Sequence, residues 1–457
     1  MDHMNSLDAS FLYIENEFNH MHIAVVAIFE GPPPRGEEVE EMVASKLSLI
    51  PRYRQKVRFV PFNLGRPVWS DDHHFDLRYH VRHTALPSPG SDEQLRTLVG
   101  RVMSQQLDRA KPLWEVWVVE GLEGDRWALL TKTHHCMMDG VSGSDLLGVL
   151  LDSEADEAHP ANGPWHPEPR PSGISLLKVS LVDGIRTPVD LLRNFKSALA
   201  APGRMLHQLG DLMEGLYTYR AFAMSPAESS LNGPIGPHRR WCWASTSLVV
   251  INKIRNAHHG TVNDVVLSAI AQGFRALMLS RGEPVDGLCV RTLVPVSVRH
   301  EAEQGTLNNR VSAMFIDLPM GVEDPVERLV AIRAEMEDLK EHHQSDAAEM
   351  LNSISGFTPT ALLALGARIF ASLEQHTVQT VTTNVPGPRQ TLYAAGCRML
   401  AAYPYVPLAG SVRIGVAIFS YAGQLTFGVT GDYESTADIN VLTEGIEAGI
   451  QDLLARS

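Results

Sequence analysis

Thr131-Lys-Thr-His-His-Cys-Met-Met-Asp-Gly140 brings two imidazoles, a thiol and a carboxylate into one short stretch. Three chemistries could use such a set. A neutral imidazole can take a proton from a hydroxyl as the oxygen attacks. A Cys–His dyad could form a covalent intermediate. His134, His135 and Asp139 could hold zinc. Local geometry separates them. The run Trp127-Ala-Leu-Leu leads into the stretch and reads as a buried β-strand. Successive strand residues face opposite sides, so the two histidines diverge, and no fourth zinc ligand is spaced nearby. Cys136 then faces away from His135. One imidazole can project into a cleft while the other faces the core. Asp139 followed by Gly140 suggests a tight turn whose carboxylate folds back to fix the loop. The doublet alone says little, because His73-His74, His258-His259 and His342-His343 are also present. What distinguishes His134-His135 is the strand before it and the Asp-Gly after it.

His134-His135-Cys-Met-Met-Asp139-Gly140 resembles the HHxxxDG motif of acyltransferases built like chloramphenicol acetyltransferase. Within that group the chain is similar to the bacterial wax ester synthase/diacylglycerol acyltransferase family. The similarity extends over nearly the whole chain, through Ser6-Leu-Asp-Ala-Ser-Phe-Leu-Tyr-Ile-Glu15, Pro112-Leu-Trp114, Asn263-Asp-Val-Val-Leu-Ser268, Val294-Pro-Val-Ser-Val-Arg299 and Asn384-Val-Pro-Gly-Pro388. HHxxxDG alone has modest specificity; these segments in the expected order are specific. The Asp-Phe-Gly-Trp-Gly loop that many relatives carry near the C-terminus is missing, the nearest segment being Phe427-Gly-Val-Thr-Gly-Asp-Tyr433. That departure points away from peptide condensation domains and towards the neutral-lipid branch.

The resemblance implies transfer of a long-chain fatty acyl group from a CoA thioester to diacylglycerol, giving triacylglycerol, and also to fatty alcohols, giving wax esters. It makes His135 the general base. Asn263 is the candidate for a hydrogen bond to substrate or transition state. His134, Asp139, Gly140, Pro112 and Trp114 are expected to support the site structurally. Both readings of Glu15 stay open: a surface carboxylate ending a helical turn, or a polar group on the acceptor side of the cleft. Asn263 likewise either caps a helix or holds reacting groups. No metal and no cofactor are expected, acyl-CoA being a co-substrate. Two other classes fit the same scaffold: a condensation enzyme using a carrier-bound substrate, and a catalytically silent protein coating lipid droplets.

Composition sets the bounds. At 457 residues, with 44% apolar and 20% charged residues, the chain can build ample folded core. A formal charge of −14 argues against general nucleic-acid binding, which needs a basic surface. Cys136, Cys242, Cys289 and Cys397 show neither metal nor disulfide spacing, which suits a reducing compartment. The N-terminus shows no basic start followed by an apolar run, and no apolar stretch is read as long enough to span a bilayer. A cytoplasmic enzyme touching membrane or lipid droplets peripherally is therefore expected.

The elements that must position these residues follow from periodicity. The alternating His20–Phe29 segment reads as a strand, and Glu37–Leu49 and Asp92–Leu107 as amphipathic helices. Arg52–Phe59 and Glu115–Glu120 read as strands, and Trp69–His74 as a loop. Asn162-Gly-Pro-Trp-His-Pro-Glu-Pro-Arg-Pro-Ser-Gly173 is a Pro-rich linker, followed by helical pattern from Ile174 to Met224. Beyond it, Val265–Met278, Val326–His342, Thr360–Leu373 and Ile439–Leu454 read as helices. Leu288–Val298, Val311–Pro319, Val378–Asn384, Arg413–Tyr421 and Gln424–Gly431 read as strands. The expected fold is α/β (α+β): two chloramphenicol-acetyltransferase-like subdomains, each a mixed sheet flanked by helices. They span 1–160 and 230–457, with 161–229 as linker and the active site in a tunnel at their interface.

Overall fold

The structure is a computed structural model that describes residues 2–61, 65–137, 143–159, 163–170, 172–173, 175–176, 229–297, 311–342 and 378–457. Asp139, Gly140, nearly all of the helical pattern at 174–224, and the helix read at 360–373 lie outside the described residues.

The first half runs β1 (Asp2–His3), α1 (Ser6–Ile14), β2 (His22–Glu30), α2 (Gly36–Lys46), β3 (Gln55–Arg58), β4 (Val68–Asp71), α3 (Leu77–His80) and β5 (Val81–Ala85). It continues with α4 (Asp92–Met103), β6 (Trp114–Leu122), β7 (Arg126–His134), a 3-10 turn (His135–Met137) and α5 (Gly143–Leu150). The second half holds β8 (Arg239–Ser247), α6 (Leu248–Ala257), α7 (Val262–Ser280), β9 (Cys289–Ser297), β10 (Val311–Pro319) and α8 (Pro325–His342). Then come β11 (Thr380–Pro386), β12 (Tyr393–Ala394), β13 (Cys397–Tyr405), β14 (Ile414–Tyr421), β15 (Gln424–Asp432) and α9 (Ile439–Ala455).

Each half is built on a six-stranded mixed sheet, in the orders β12-β13-β2-β7-β6-β5 and β10-β9-β11-β14-β15-β8. β7 is central in the first sheet, paired antiparallel with β2 and β6, and its residues are buried on both faces beyond Arg126. That is why Trp127-Ala-Leu-Leu reads as a continuous apolar run rather than an alternating one.

The halves exchange structure. β12 and β13 come late in the chain yet join the first sheet, β13 pairing antiparallel with β2 from Ala24 to Phe29. The boundary at residue 230 therefore divides the chain but not the sheets. β15 of the second sheet passes close over β13. A Cβ on Gly428 would stand 1.7 Å from the Pro404 carbonyl oxygen, and Trp241 Nε1 donates to that same oxygen at 3.1 Å.

Two readings need correcting. Trp69–His74 is not all loop, because Val68–Asp71 forms β4 against β3, and the Arg52 segment begins as a 3-10 turn over Pro51–Arg54. α7 is long and apolar enough, by length and composition, to cross a membrane, although 67% of its apolar window is buried inside the protein. Close packing against α9 accounts for that burial: a Cβ on Gly445 would meet Gly273 Cα at 2.8 Å. α7 owes its apolar character to its place in the core of the second half.

Candidate active site

β7 ends at His134, and His134 pairs in register with His22 on β2. Paired residues share a face, so the two rings stand edge to face, 5.9 Å apart. His134 is fully buried. Its Nδ1 accepts the Cys136 N–H at 3.1 Å, which leaves Nε2 as the protonated nitrogen, 3.5 Å from Glu15 Oε2. The expectation that one histidine of the pair faces inward describes His134.

Glu15 ends α1, its N–H bonded to Phe11 O at 3.1 Å. Its side chain is only 3% exposed. It accepts from Arg109 Nη2 at 2.6 Å, Arg109 Nε at 3.0 Å and the Met21 N–H at 3.3 Å, and His22 Nε2, which accepts the Leu107 N–H at 3.4 Å, lies 3.2 Å from its Oε1. Burial alone would raise the carboxyl pKa. The hydrogen bonds from His134 and His22 overcome that and hold it far below the usual carboxylate range. Glu15 is thus neither a surface carboxylate nor a free group lining a cleft; its oxygens are engaged beneath the histidines. His22 is pushed down to about 3 by burial, against the pull of Glu15 and with help from Lys132. The anchor is therefore a Glu15–Arg109 ion pair with the His22 and His134 rings set against the carboxylate.

His135 opens the 3-10 turn, and its N–H bonds Met21 O at 2.8 Å. The half-buried ring lies against Phe11, with centroids 3.9 Å apart. Nδ1 is buried and makes no hydrogen bond within the described residues. Burial, and then the neighbouring His134, lower the pKa to about 4, opposed by the residue's own backbone. The imidazole is consequently neutral at ordinary pH. Cys136 is buried with its thiol pushed well up, chiefly by burial, so it stays protonated and a poor nucleophile.

The Pro112–Trp114 segment supports this strand end directly. Leu113 O accepts the His134 N–H at 2.9 Å. Pro112 is buried, and its carbonyl accepts the Trp114 N–H at 3.0 Å. Trp114 stacks between Tyr53 and His80 and donates Nε1 to Tyr53 O at 2.8 Å.

On the second half, Thr261 caps α7: its side chain accepts the Asp264 N–H while the Asp264 carboxylate accepts the Thr261 N–H. Asn263 is therefore spared from capping. It is exposed, and its Oδ1 accepts from Asn384 Nδ2 at 2.7 Å, leaving its own Nδ2 as a donor. Val385, next to Asn384 on β11, packs on the cluster that contains Cys136 and Met137, and α5 also meets β11. The asparagine pair and the histidine turn thus belong to one seam between the halves.

The sequence reading missed His22, Arg109, Lys132 and Asn384 as parts of this framework. Lys132 is buried, donates Nζ to Val102 O at 2.9 Å and to Gln105 O, and is lowered to about 8 by burial. A lysine inside an otherwise apolar strand was the available signal for it.

The family description "Wax ester synthase/diacylglycerol acyltransferase catalytic domain" matches residues 4–266, and "WS/DGAT C-terminal domain" matches 307–454. The chain is 38% identical over 459 residues to the Mycobacterium tuberculosis protein named "Probable diacyglycerol O-acyltransferase tgs1", covering 100% of this chain and 96% of that one. Its fold is similar to that of the wax ester synthase/diacylglycerol acyltransferase from Marinobacter aquaeolei VT8, with a TM-score of 0.70, 25% identity and 99% of each chain covered. The first condensation domain of the calcium-dependent antibiotic synthetase shares the fold at a TM-score of 0.57 and 13% identity, over 99% of this chain and 97% of that one. The chain is an acyltransferase and belongs to the wax ester synthase/diacylglycerol acyltransferase family.

Proposed function

We propose that the protein transfers a long-chain fatty acyl group from CoA to the hydroxyl of diacylglycerol, and to fatty alcohols as a second acceptor class. His135 is the general base. As the alcohol oxygen bonds to the thioester carbon, His135 takes the hydroxyl proton. The tetrahedral intermediate collapses with cleavage of the C–S bond, and the imidazolium returns the proton to the departing CoA thiolate. The observation that carries this reading is the His135 ring: neutral by burial, half-open, and fixed through its backbone and Phe11.

Asn263 is proposed as a donor to the developing oxyanion, because Asn384 engages its carbonyl oxygen and its own N–H group donates to none of the described residues. Glu15 acts as a positioning residue through His134 rather than by touching the acceptor. No cofactor enters this scheme. The apolar substrates bring a cytoplasmic enzyme to a membrane or droplet surface, where it binds peripherally.

Labelled palmitoyl-CoA with diacylglycerol, then with hexadecanol, tests the reading. Wild-type protein makes triacylglycerol. His135→Ala loses about 10²–10⁴-fold in turnover while unfolding at the wild-type temperature. Undiminished turnover in that variant removes His135 as the base.

A further inference from the structure

We propose that the arginine-lined cleft between α4 and β8 holds the phosphate and adenine end of the CoA co-substrate, a subsite that rests on the acyl-CoA reading above. The cleft has a volume of about 600 Å³ and lies between the two halves. Arg96 and Arg101 of α4 line one wall, and Arg239 and Arg240 of β8 line the other, with His238 and Tyr433 at the edge.

Four guanidinium groups share one cavity in a chain of formal charge −14. Among the described residues, none of the four lies within ion-pair distance of a carboxylate, whereas arginines such as Arg109, Arg281 and Arg291 are paired. Glu93 is the lone carboxylate among the lining residues. Arg239 is only 3% exposed and spends its donors on the carbonyls of Gly236, His238 and Phe18. The buried Arg96 Nε has no hydrogen-bond partner, and its guanidinium lies 4.2 Å over Trp243. Unneutralised positive charge held in a partly buried cleft is suited to an anion with several oxygens, and the guanidinium fork fits phosphate. Tyr433 is 47% exposed, with Arg240 4.1 Å over its ring. An exposed aromatic beside arginines gives a flat base something to stack on.

The cleft also lies at a suitable reach. Arg239 bonds Phe18 O, and Met21 O, three residues on, accepts the His135 N–H. Three residues span at most about 11 Å, and an extended pantetheine arm of about thirteen bonds covers about 15 Å at the same reach per bond. An arm of that length is of the order needed to carry a thioester from the outer arginines along this segment towards His135.

The test compares palmitoyl-CoA with palmitoyl-pantetheine, the same thioester without nucleotide, in wild type, Arg101→Gln and Arg101→Gln/Arg240→Gln. The wild-type preference for the CoA ester, in kcat/KM, should fall by about tenfold for each guanidinium removed, through KM rather than kcat. An unaltered preference overturns the proposal. So does loss of binding to phosphatidate-containing vesicles with the preference intact, which would assign the cleft to lipid phosphate. Arg101 is exposed and makes no ion pair among the described residues, so its single variant carries the test should the double variant fail to fold. If wild type used neither thioester, the acyl-transfer reading would fail by itself. Titration of adenosine 3′,5′-bisphosphate into wild type and variant would still decide the cleft: weaker binding by the variant supports the subsite, and equal binding rejects it.

Discussion

The general base proposed at His135 must be unprotonated when substrate arrives, and burial rather than a carboxylate partner depresses its pKa. The folded pKa of about 4 lies below the ordinary 6.5. The acid limb of kcat is therefore expected as pH falls through about 4, with turnover level from pH 8 to 5. Stability follows another course. Below pH 6.5 the unfolded chain takes up protons that folded His135 and His22 refuse, so stability falls as pH drops towards the folded values of about 4 and 3. The depressed carboxyl of Glu15 acts in the same direction at lower pH, since its contribution is lost as it protonates. Melting temperatures read beside a pH–rate profile check both, and a kinetic limb near 6.5 would contradict the burial of His135. Glu15→Gln keeps the shape of the side chain and removes the charge that His134, His22 and Arg109 surround. Its expected effect is a fall in kcat of up to about a hundredfold through a misplaced histidine turn, with little change in the KM for the alcohol. A change confined to that KM would instead make Glu15 an acceptor contact. At this scale the histidine pair was legible in the sequence because strand alternation separates its two faces. The network beneath it was not: Glu15, His22 and Arg109 meet only once α1, β2 and the segment after α4 are folded together.

Among the elements, the strands that read well from sequence are those whose apolar pattern is set by their own sheet. β13 did not read as a strand, and its residues show why. Pro404 removes a backbone donor, and a bulge between Met399 and Ala401 breaks the alternation. The proline is tolerated because β12 pairs only with Cys397 and Arg398, leaving β13 an edge strand at Pro404. Membership of the first sheet is fixed by pairing with β2, which lies hundreds of residues earlier and leaves no local trace. Helix α7, by contrast, was legible in its body, but its cap was left open until the structure showed Thr261 and Asp264 satisfying each other within one turn. The seam where β15 crosses β13 can be tested at one position. Gly428→Ala adds a methyl group where the Pro404 carbonyl already stands, and Gly428 has no positive φ for the substitution to strain. Urea unfolding should show a loss of about 3 kcal/mol from overpacking alone. A neutral result would mean that the sheets do not approach so closely.

The whole molecule follows from that exchange. Two halves that each owned a complete sheet could separate, and a cleft between them could open freely. Here the first sheet is completed by β12 and β13 from the far end of the chain, and the cluster beneath α4 joins Leu95 and Val99 with Trp241, Trp243 and Tyr405. His135, Asn384 and the arginines of the α4–β8 cleft all flank this seam. Residues 1–160 expressed alone would leave the β2 edge from Ala24 to Phe29 without its partner strand, and an uncovered apolar edge invites aggregation. That fragment should be insoluble alone, and should gain solubility and acyl transfer when residues 161–457 are produced with it. Cooperative unfolding of the lone fragment would show instead that β13 is a dispensable brace. Acyl transfer by that fragment would further place the whole reaction centre in the first half and leave Asn263 without a part in it.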